Sequence, residues 1–478
     1  MAARSPFRRL LVLELNEAPM GVLRESAQGA PGGALARVLR EGRAWTTLAR
    51  DGGHLSPWTT WATVHRGVGA EVHGVRDQGQ DLAALDRAHP PVWRLALEGG
   101  RRVGVGACLG SAPLPVDAQR FAFHLPDPFA EGPGAHPAEL ARFQALNLAL
   151  VDRSTRTVGG GLPLALALRA LAAAPRLGWG PRTLAAVATQ LLDERVRPWR
   201  RVRRRHLQAA LGFEAFRAAV RRTGPDYAAF FTNHLASSLH RYWPARWPAD
   251  FVNLDLGEAW RRRYRGEIDA ALRLADRQLA ALLTEAERRP GTVVLVVSSM
   301  GQAPLDEGEP RERQLHLAQP ELLLRALGLS DAEWEPRRAM APRFVFRVAE
   351  PARDRLRASL QSMRIQGEPL DWQEHEHGVF RLLLGHRNLE DTTTRIELAG
   401  RERGLDQLGL VNLEIDDRTG AYAYHHPEGA LLAWGPGVDA ARWDGGDDPV
   451  DTRALAPAML DLLGVPVPAW MPVRGLRL

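Results

Sequence analysis

The run Thr292-Val293-Val294-Leu295-Val296-Val297 constrains this chain more than any other segment. It is apolar and rich in β-branched side chains. Pro290-Gly291 precede it, and Ser298-Ser299-Met300-Gly301 follow it. A continuous run of this kind is expected where a strand is covered on both faces, at the centre of a mainly parallel sheet. Residues 9–15 and Tyr227–Thr232 read as further strands of that sheet, with shorter ones at Trp45–Leu48, Arg102–Ala107 and Gly429–Trp434. Helices are expected at Ala34–Glu41, Trp58–His65, Val92–Glu98, Glu258–Arg288 and Thr452–Leu463, with Ser56 as N-cap and Pro57 at the first turn of the second. This alternation predicts an α/β fold, a single domain over residues 1–478 whose mainly parallel central sheet is sandwiched by helices. Residues 131–222, rich in Ala, Leu and Arg, read as a helical insertion. Residues 343–400 read as a small α+β segment, with strands near Arg343–Val348 and Phe380–Leu384.

Charge and cysteine content narrow the function classes. The chain contains no lysine, so all 62 basic residues are arginine, against 56 acidic ones. Because arginine does not deprotonate near neutrality, a pI near 10.2 accompanies a net charge of only +6, and the pI is no signal of nucleic-acid binding. Seven arginines fall within residues 195–205 and read as a solvated helix face. Contact with an anionic ligand, a partner or a membrane surface is the alternative. The lone Cys108 excludes an internal disulfide and a cysteine-rich zinc site, and reads as a buried structural thiol. Leu10–Leu15 is interrupted by Glu14, which favours a buried first strand over a signal peptide. Leu162–Ala174 is too short to span a bilayer and carries Arg169. The expectation is a soluble, cytoplasmic protein with no membrane span and no nucleic-acid partner.

Four segments in order carry a family resemblance. They are Leu11-Val12-Leu13-Glu14-Leu15-Asn16-Glu17; Ser56-Pro57-Trp58-Thr59-Thr60-Trp61-Ala62-Thr63-Val64-His65-Arg66-Gly67 leading to Glu71-Val72-His73-Gly74; Ser298-Ser299-Met300-Gly301-Gln302; and His425-His426-Pro427-Glu428-Gly429 running on to Leu462-Leu463-Gly464-Val465-Pro466. Together they resemble the alkaline phosphatase superfamily, in particular its type I phosphodiesterase and nucleotide pyrophosphatase branch. Phe230-Phe231-Thr232-Asn233-His234 with Ala236 and His240-Arg241-Tyr242-Trp243 resembles a bacterial subgroup of it. The resemblance covers most of the chain outside residues 131–222.

The resemblance implies a hydroxyl nucleophile at a helix start and two metal ions, often zinc, held by Asp and His. This chain departs from that pattern. Asn16 stands at the position of the first aspartate, Ala236 at another, and Ser299 with Met300 where an Asp-His pair is usual. His240 and His425 match the family's histidines. A two-metal centre is therefore not expected. One zinc or other divalent ion held by His234, His240 and His425, with Glu14 or Glu17, is one reading. Histidines that only orient a loop by hydrogen bonding are the other.

Family spacing places the nucleophile on Pro57, which cannot attack, so Ser56 is the candidate, with Thr59 and Thr60 as fallbacks. The bland alternative makes Ser56 only an N-cap. Asn16, Glu17, Asn233, Ser299 and Gln302 are candidate ligand-binding residues. His73 is expected to fix the loop after the helix, Trp58 and Trp61 to pack, and Glu374-His375-Glu376-His377 to form a solvated strand edge. The functional expectation is a hydrolase or transferase acting on a phosphate or sulfate ester, with a small anionic substrate. The alternatives are a catalytically silent relative that binds an anionic ligand or a partner protein, and metal-free acid–base chemistry on the histidines.

Overall fold

The computed structural model describes residues 8–53, 55–153, 163–306, 308–339, 342–375, 378–390, 393–415 and 417–478. The chain divides into two compact units. One comprises Met1–Leu148, Pro163–Gly308 and Ala421–Leu478; the other comprises Ala149–Leu162 and Glu309–Gly420.

The larger unit is built on an eight-stranded sheet. Its strands are β1 (Arg9–Leu15), β2 (Arg43–Leu48), β3 (Val103–Gly106), β4 (Phe123–Leu125), β5 (Tyr227–Thr232), β6 (Thr292–Val297), β9 (Glu428–Trp434) and β10 (Val450–Asp451). A separate two-stranded ribbon pairs β7 (Gly301–Pro304) with β8 (Ala423–His426). The sheet order is β10-β2-β9-β6-β1-β5-β3-β4. Only β9 runs antiparallel to its neighbours β2 and β6. The expected mixed α/β architecture with a mainly parallel sheet is what forms. The β6 run is buried along its whole length, because α3 (Pro57–Arg66), α4 (Val92–Glu98) and α8 (Leu455–Leu462) belong to the core on one face. On the other face α7 (Glu267–Glu287) packs on β1 and β6, α5 (Arg204–Thr223) on β5 and β3, and α1 (Met20–Gly29) and α2 (Ala34–Glu41) on β9.

Two helices differ from the sequence reading. The helix expected over 258–288 is split into Glu258–Tyr264 and α7, with Gly266 at the N-cap of α7, where its backbone leaves helical geometry at little cost. Thr452–Ala454 is a tight turn held by the Asp451 side chain, which accepts from the Arg453 amide, and α8 begins after it.

Register positions the site. β1 pairs with β5 as Leu15 with Thr232, and with β6 as Glu14 with Val297. The residues that follow β1, β5 and β6 therefore emerge together at the carboxyl ends of three adjacent parallel strands, where α/β sheets open a crevice. α6 (His234–Arg246) follows β5 directly.

The smaller unit has its own core around Phe346, Phe380, Leu356 and Leu360. It contains two four-stranded antiparallel sheets, one ordered Asp371–His375, Val379–Leu383, Arg343–Val348, Trp334–Arg337. His375 lies on the edge strand of that sheet; Glu376 and His377 lie outside the described residues.

Candidate functional site

Glu17, His240 and His425 converge at the carboxyl end of the sheet, with one ligand-type atom of each within 4.8 Å of the others. Each arrives on a different element. Glu17 follows β1 with a left-handed backbone, φ 52°, which few residues other than glycine adopt and which turns the chain sharply after the strand. His240 lies on α6. His425 lies on β8, directly opposite Gln302 on β7. Gly301, beside Gln302, is required by the fold: a Cβ there would meet the Glu428 carbonyl at 2.1 Å.

The hydrogen bonds fix which nitrogens face inward. His240 Nδ1–H donates to the Ala423 carbonyl at 2.5 Å, and His425 Nδ1–H donates to the Leu55 carbonyl at 2.7 Å. Both rings therefore present Nε2 to the Glu17 carboxylate, at 2.8 Å from His240 and 3.6 Å from His425. Two imidazole lone pairs beside a carboxylate oxygen repel unless positive charge lies among them, as protons on the rings or as a metal ion. Gln302 Nε2 donates to Glu17 Oε2 at 2.6 Å and to the Ala236 carbonyl at 3.1 Å. Asn16 Nδ2 donates to Glu17 Oε1 at 2.8 Å and to Asn233 Oδ1 at 2.7 Å. Burial pushes the Glu17 carboxyl up, but the charges of His425 and His240 and the hydrogen bonds of His240 and Gln302 outweigh it and hold the group at about 2.

A carboxylate and two imidazoles on one centre, each oriented by a further hydrogen bond, make a donor set suited to a single zinc-like ion with a position left open. The residues present fit such an ion. His234, expected beside His240 and His425, does not join them. Its Nδ1 accepts from the Thr232 hydroxyl at 2.8 Å and its Nε2–H donates to the Ala271 carbonyl at 3.1 Å, so both nitrogens are occupied. Desolvation lowers this ring to about 4 and keeps it neutral. The third place belongs to Glu17. Glu14 is also elsewhere, buried against His65 at 2.9 Å. Asn16 is engaged on every side, since its Oδ1 accepts from the Trp61 indole at 2.8 Å.

The start of α3 adjoins this cluster, because the carbonyl that holds His425 belongs to the residue before Ser56. Ser56 occupies the N-cap position in extended geometry, yet its side chain makes no capping hydrogen bond. Its hydroxyl is not spent on holding the helix. The two fallbacks are placed differently. Thr60 Oγ1 lies 3.1 Å from the Ser56 carbonyl and 2.8 Å from Ser299 Oγ, while Thr59 Oγ1 is buried without a partner among the described residues. Ser298 bonds the Ala18 amide and the Met300 carbonyl, and the Met300 side chain is fully buried.

One turn further along α3 stands an array absent from the sequence reading. His73 Nδ1 accepts from the Val75 amide, so Nε2–H donates to Thr63 Oγ1 at 2.9 Å, and Thr63 in turn donates to Asp51 Oδ1 at 2.5 Å. His73 was expected to fix this loop, but nothing in the local sequence marks Asp51 as its distant terminus. Thr63→Val should leave His73 and Asp51 each short of a partner and cost about 2 kcal/mol or more. A urea titration unchanged from the parent protein would contradict this.

The arginines of residues 195–205 are largely answered within the fold. Arg197 and Arg200 meet Asp193, Arg203 meets Glu267, and Arg204 meets Glu194. Cys108 is fully buried, and burial together with the neighbouring Glu14 raises its thiol. Among the described residues no helix is long and apolar enough to cross a membrane.

No family model and no curated protein matches the chain. Among solved structures it is similar to human ectonucleotide pyrophosphatase/phosphodiesterase 5, at 12% identity over 96% of each chain with a TM-score of 0.42. The murine protein gives 11% identity, 96% of each chain and a TM-score of 0.39. Phosphonoacetate hydrolase from Sinorhizobium meliloti, in complex with phosphonoformate, gives 14% identity over 97% of this chain and 98% of that one, with a TM-score of 0.42.

Proposed function

We propose that this chain is a hydrolase or transferase acting on a phosphate or sulfate ester through a remodelled, metal-poor form of the alkaline-phosphatase-like site that its sequence motifs resemble. The observation that carries the reading is the convergence of the two Nε2 atoms of His240 and His425 on the Glu17 carboxylate. These three residues would hold one divalent ion. Such an ion, when bound, supplies positive charge against the ester's anionic oxygens and lowers the pKa of a coordinated hydroxyl or water. The chain's own groups do the remaining work. Ser56, with its hydroxyl free of capping duty, is the proposed nucleophile. The amides of Trp58 and Thr59 at the first turn of α3 have no helical acceptor and favour an anion there. Asn16 and Gln302 orient the Glu17 carboxylate.

The experiment is metal analysis of the purified protein, followed by assays on aryl phosphate monoesters, diesters and sulfates. Absence of bound metal together with turnover indifferent to Ser56 and His240 would overturn the reading. Ser56→Ala separates nucleophile from cap. Because no capping bond is lost, stability should change by less than about 0.5 kcal/mol, while turnover falls at least about a thousandfold. A loss of stability with activity retained would make Ser56 a structural residue.

A catalytically silent relative that binds an anionic ligand is the second reading. It is favoured by one feature: Gln302, Asn16 and His240 already satisfy the Glu17 carboxylate. Thermal stabilisation by phosphorylated metabolites without turnover would select it.

A further inference from the structure

We propose that the two consecutive helices Leu164–Ala172 and Pro181–Val196 dock the protein on an anionic membrane surface. Both expose apolar faces. On the first, Leu164, Leu168 and Leu171 are 69, 66 and 43% exposed, at the i, i+4, i+7 spacing of one helical face. On the second, Pro181, Ala185, Ala188, Leu192 and Val196 form an exposed stripe, with Leu192 at 64% and Val196 at 78%. Scattered surface leucines need no explanation, but an apolar stripe on each of two consecutive helices does.

The opposite sides of these helices are anchored. Ala170, Ala173, Ala174 and Leu177 are buried, and the Trp179 indole between the helices donates to the Leu211 carbonyl at 3.0 Å. Glu194 is buried against Arg204. The apolar faces are therefore held outward by the fold.

Charge selects the occupant. Between Asp152 and Asp193 the sequence contains no acidic residue. Arg169, Arg176, Arg182, Arg195 and Arg201 are exposed and form no ion pair among the described residues, unlike Arg197, Arg200, Arg203 and Arg204 nearby. A second copy seated symmetrically on this surface would set arginine against arginine, because the helix's own carboxylates, Asp193 and Glu194, are already paired with Arg197, Arg200 and Arg204. An anionic lipid surface answers both features, taking the leucines into the acyl boundary and the guanidinium groups at the headgroups. At 16 residues the longer helix spans roughly 24 Å, so it lies in the interface and does not cross it.

The test is cosedimentation of the full chain with vesicles of phosphatidylcholine alone, or with roughly a third phosphatidylglycerol. Binding is expected only to the second, weakening as salt is raised. The variant Leu168→Asp with Leu192→Asp, at two exposed positions, should lower the bound fraction about tenfold or more with an unchanged melting curve. No vesicle binding would overturn the proposal, as would binding that the double variant retains. Light scattering that reveals a dimer dissociated by the same two substitutions would overturn it in favour of a second copy.

Discussion

Glu17→Ala should strip the protein of bound metal and abolish ester turnover. In the proposed site the carboxylate would be the one anionic ligand among three, and without it two imidazoles would remain to hold a dication. Removing an outer-shell partner typically weakens metal binding 10–100-fold, so losing a ligand should cost at least about 100-fold. The neighbours set a graded comparison. Gln302→Met keeps the three ligands but removes the donor to Oε2, and should fall within the 10–100-fold range. His240→Ala and His425→Ala should each resemble Glu17→Ala, whereas His234→Ala should keep full metal content, because both nitrogens of His234 are occupied away from the cluster. Titration against a chelator of known affinity, with mass-spectrometric metal analysis, reads all five variants. Metal retained by Glu17→Ala, or lost from His234→Ala with the fold intact, would break the assignment.

That contrast between His234 and Glu17 marks where the sequence stopped being legible. β1, β5 and β6 could be placed almost to the residue because their burial on both faces leaves largely apolar runs, interrupted in β1 by Glu14, and such a run depends only on its own residues. His240 and His425 could be named from motif positions. For the third member the sequence leaves Glu14 and Glu17 as alternatives; the choice falls to a backbone reversal at Glu17, where φ turns positive at a residue other than glycine, and no side-chain pattern announces that. The anchoring acceptors for the two imidazoles are the carbonyls of Leu55 and Ala423, which every residue type carries. His234 sits two residues after Thr232 and looked equivalent to His240. Its inward side meets the α7 backbone at Ala271, a contact 37 residues away in sequence. Ser56 illustrates the reverse case: the residue type suggested a capping serine, and the hydroxyl makes no capping bond.

His65→Leu should be among the most destabilising single substitutions in the larger unit, and adding Glu14→Leu should restore most of the loss. Glu14 and His65 are each 2% exposed and meet at 2.9 Å on the face of β1 that also carries Leu10 and Val12. Trp93 packs edge-on against the imidazole at 4.6 Å and Trp61 stacks on it at 5.4 Å, so water has no ready route to either group. The second carboxylate oxygen is without a hydrogen-bond partner among the described residues apart from the neighbouring Cys108 thiol, and the buried Tyr227 hydroxyl is likewise unpartnered. Deleting the imidazole leaves a carboxyl group in an apolar core, a change that typically costs about 3–5 kcal/mol. Replacing both groups removes the desolvation cost along with the attraction, and buried pairs exchanged for apolar side chains of similar size are often neutral or more stable. The coupling between the two positions should therefore be large and favourable to the double variant. Urea unfolding of the parent, both single variants and the double variant measures it, with the larger unit followed separately because a two-unit chain need not unfold in one step. Additive single effects would show that the pair is not the isolated buried unit its geometry describes. Retention of metal binding in the double variant would place this pair, on the far side of β1 from Leu13 and Leu15, in the stability of the sheet and outside the chemistry at its carboxyl end.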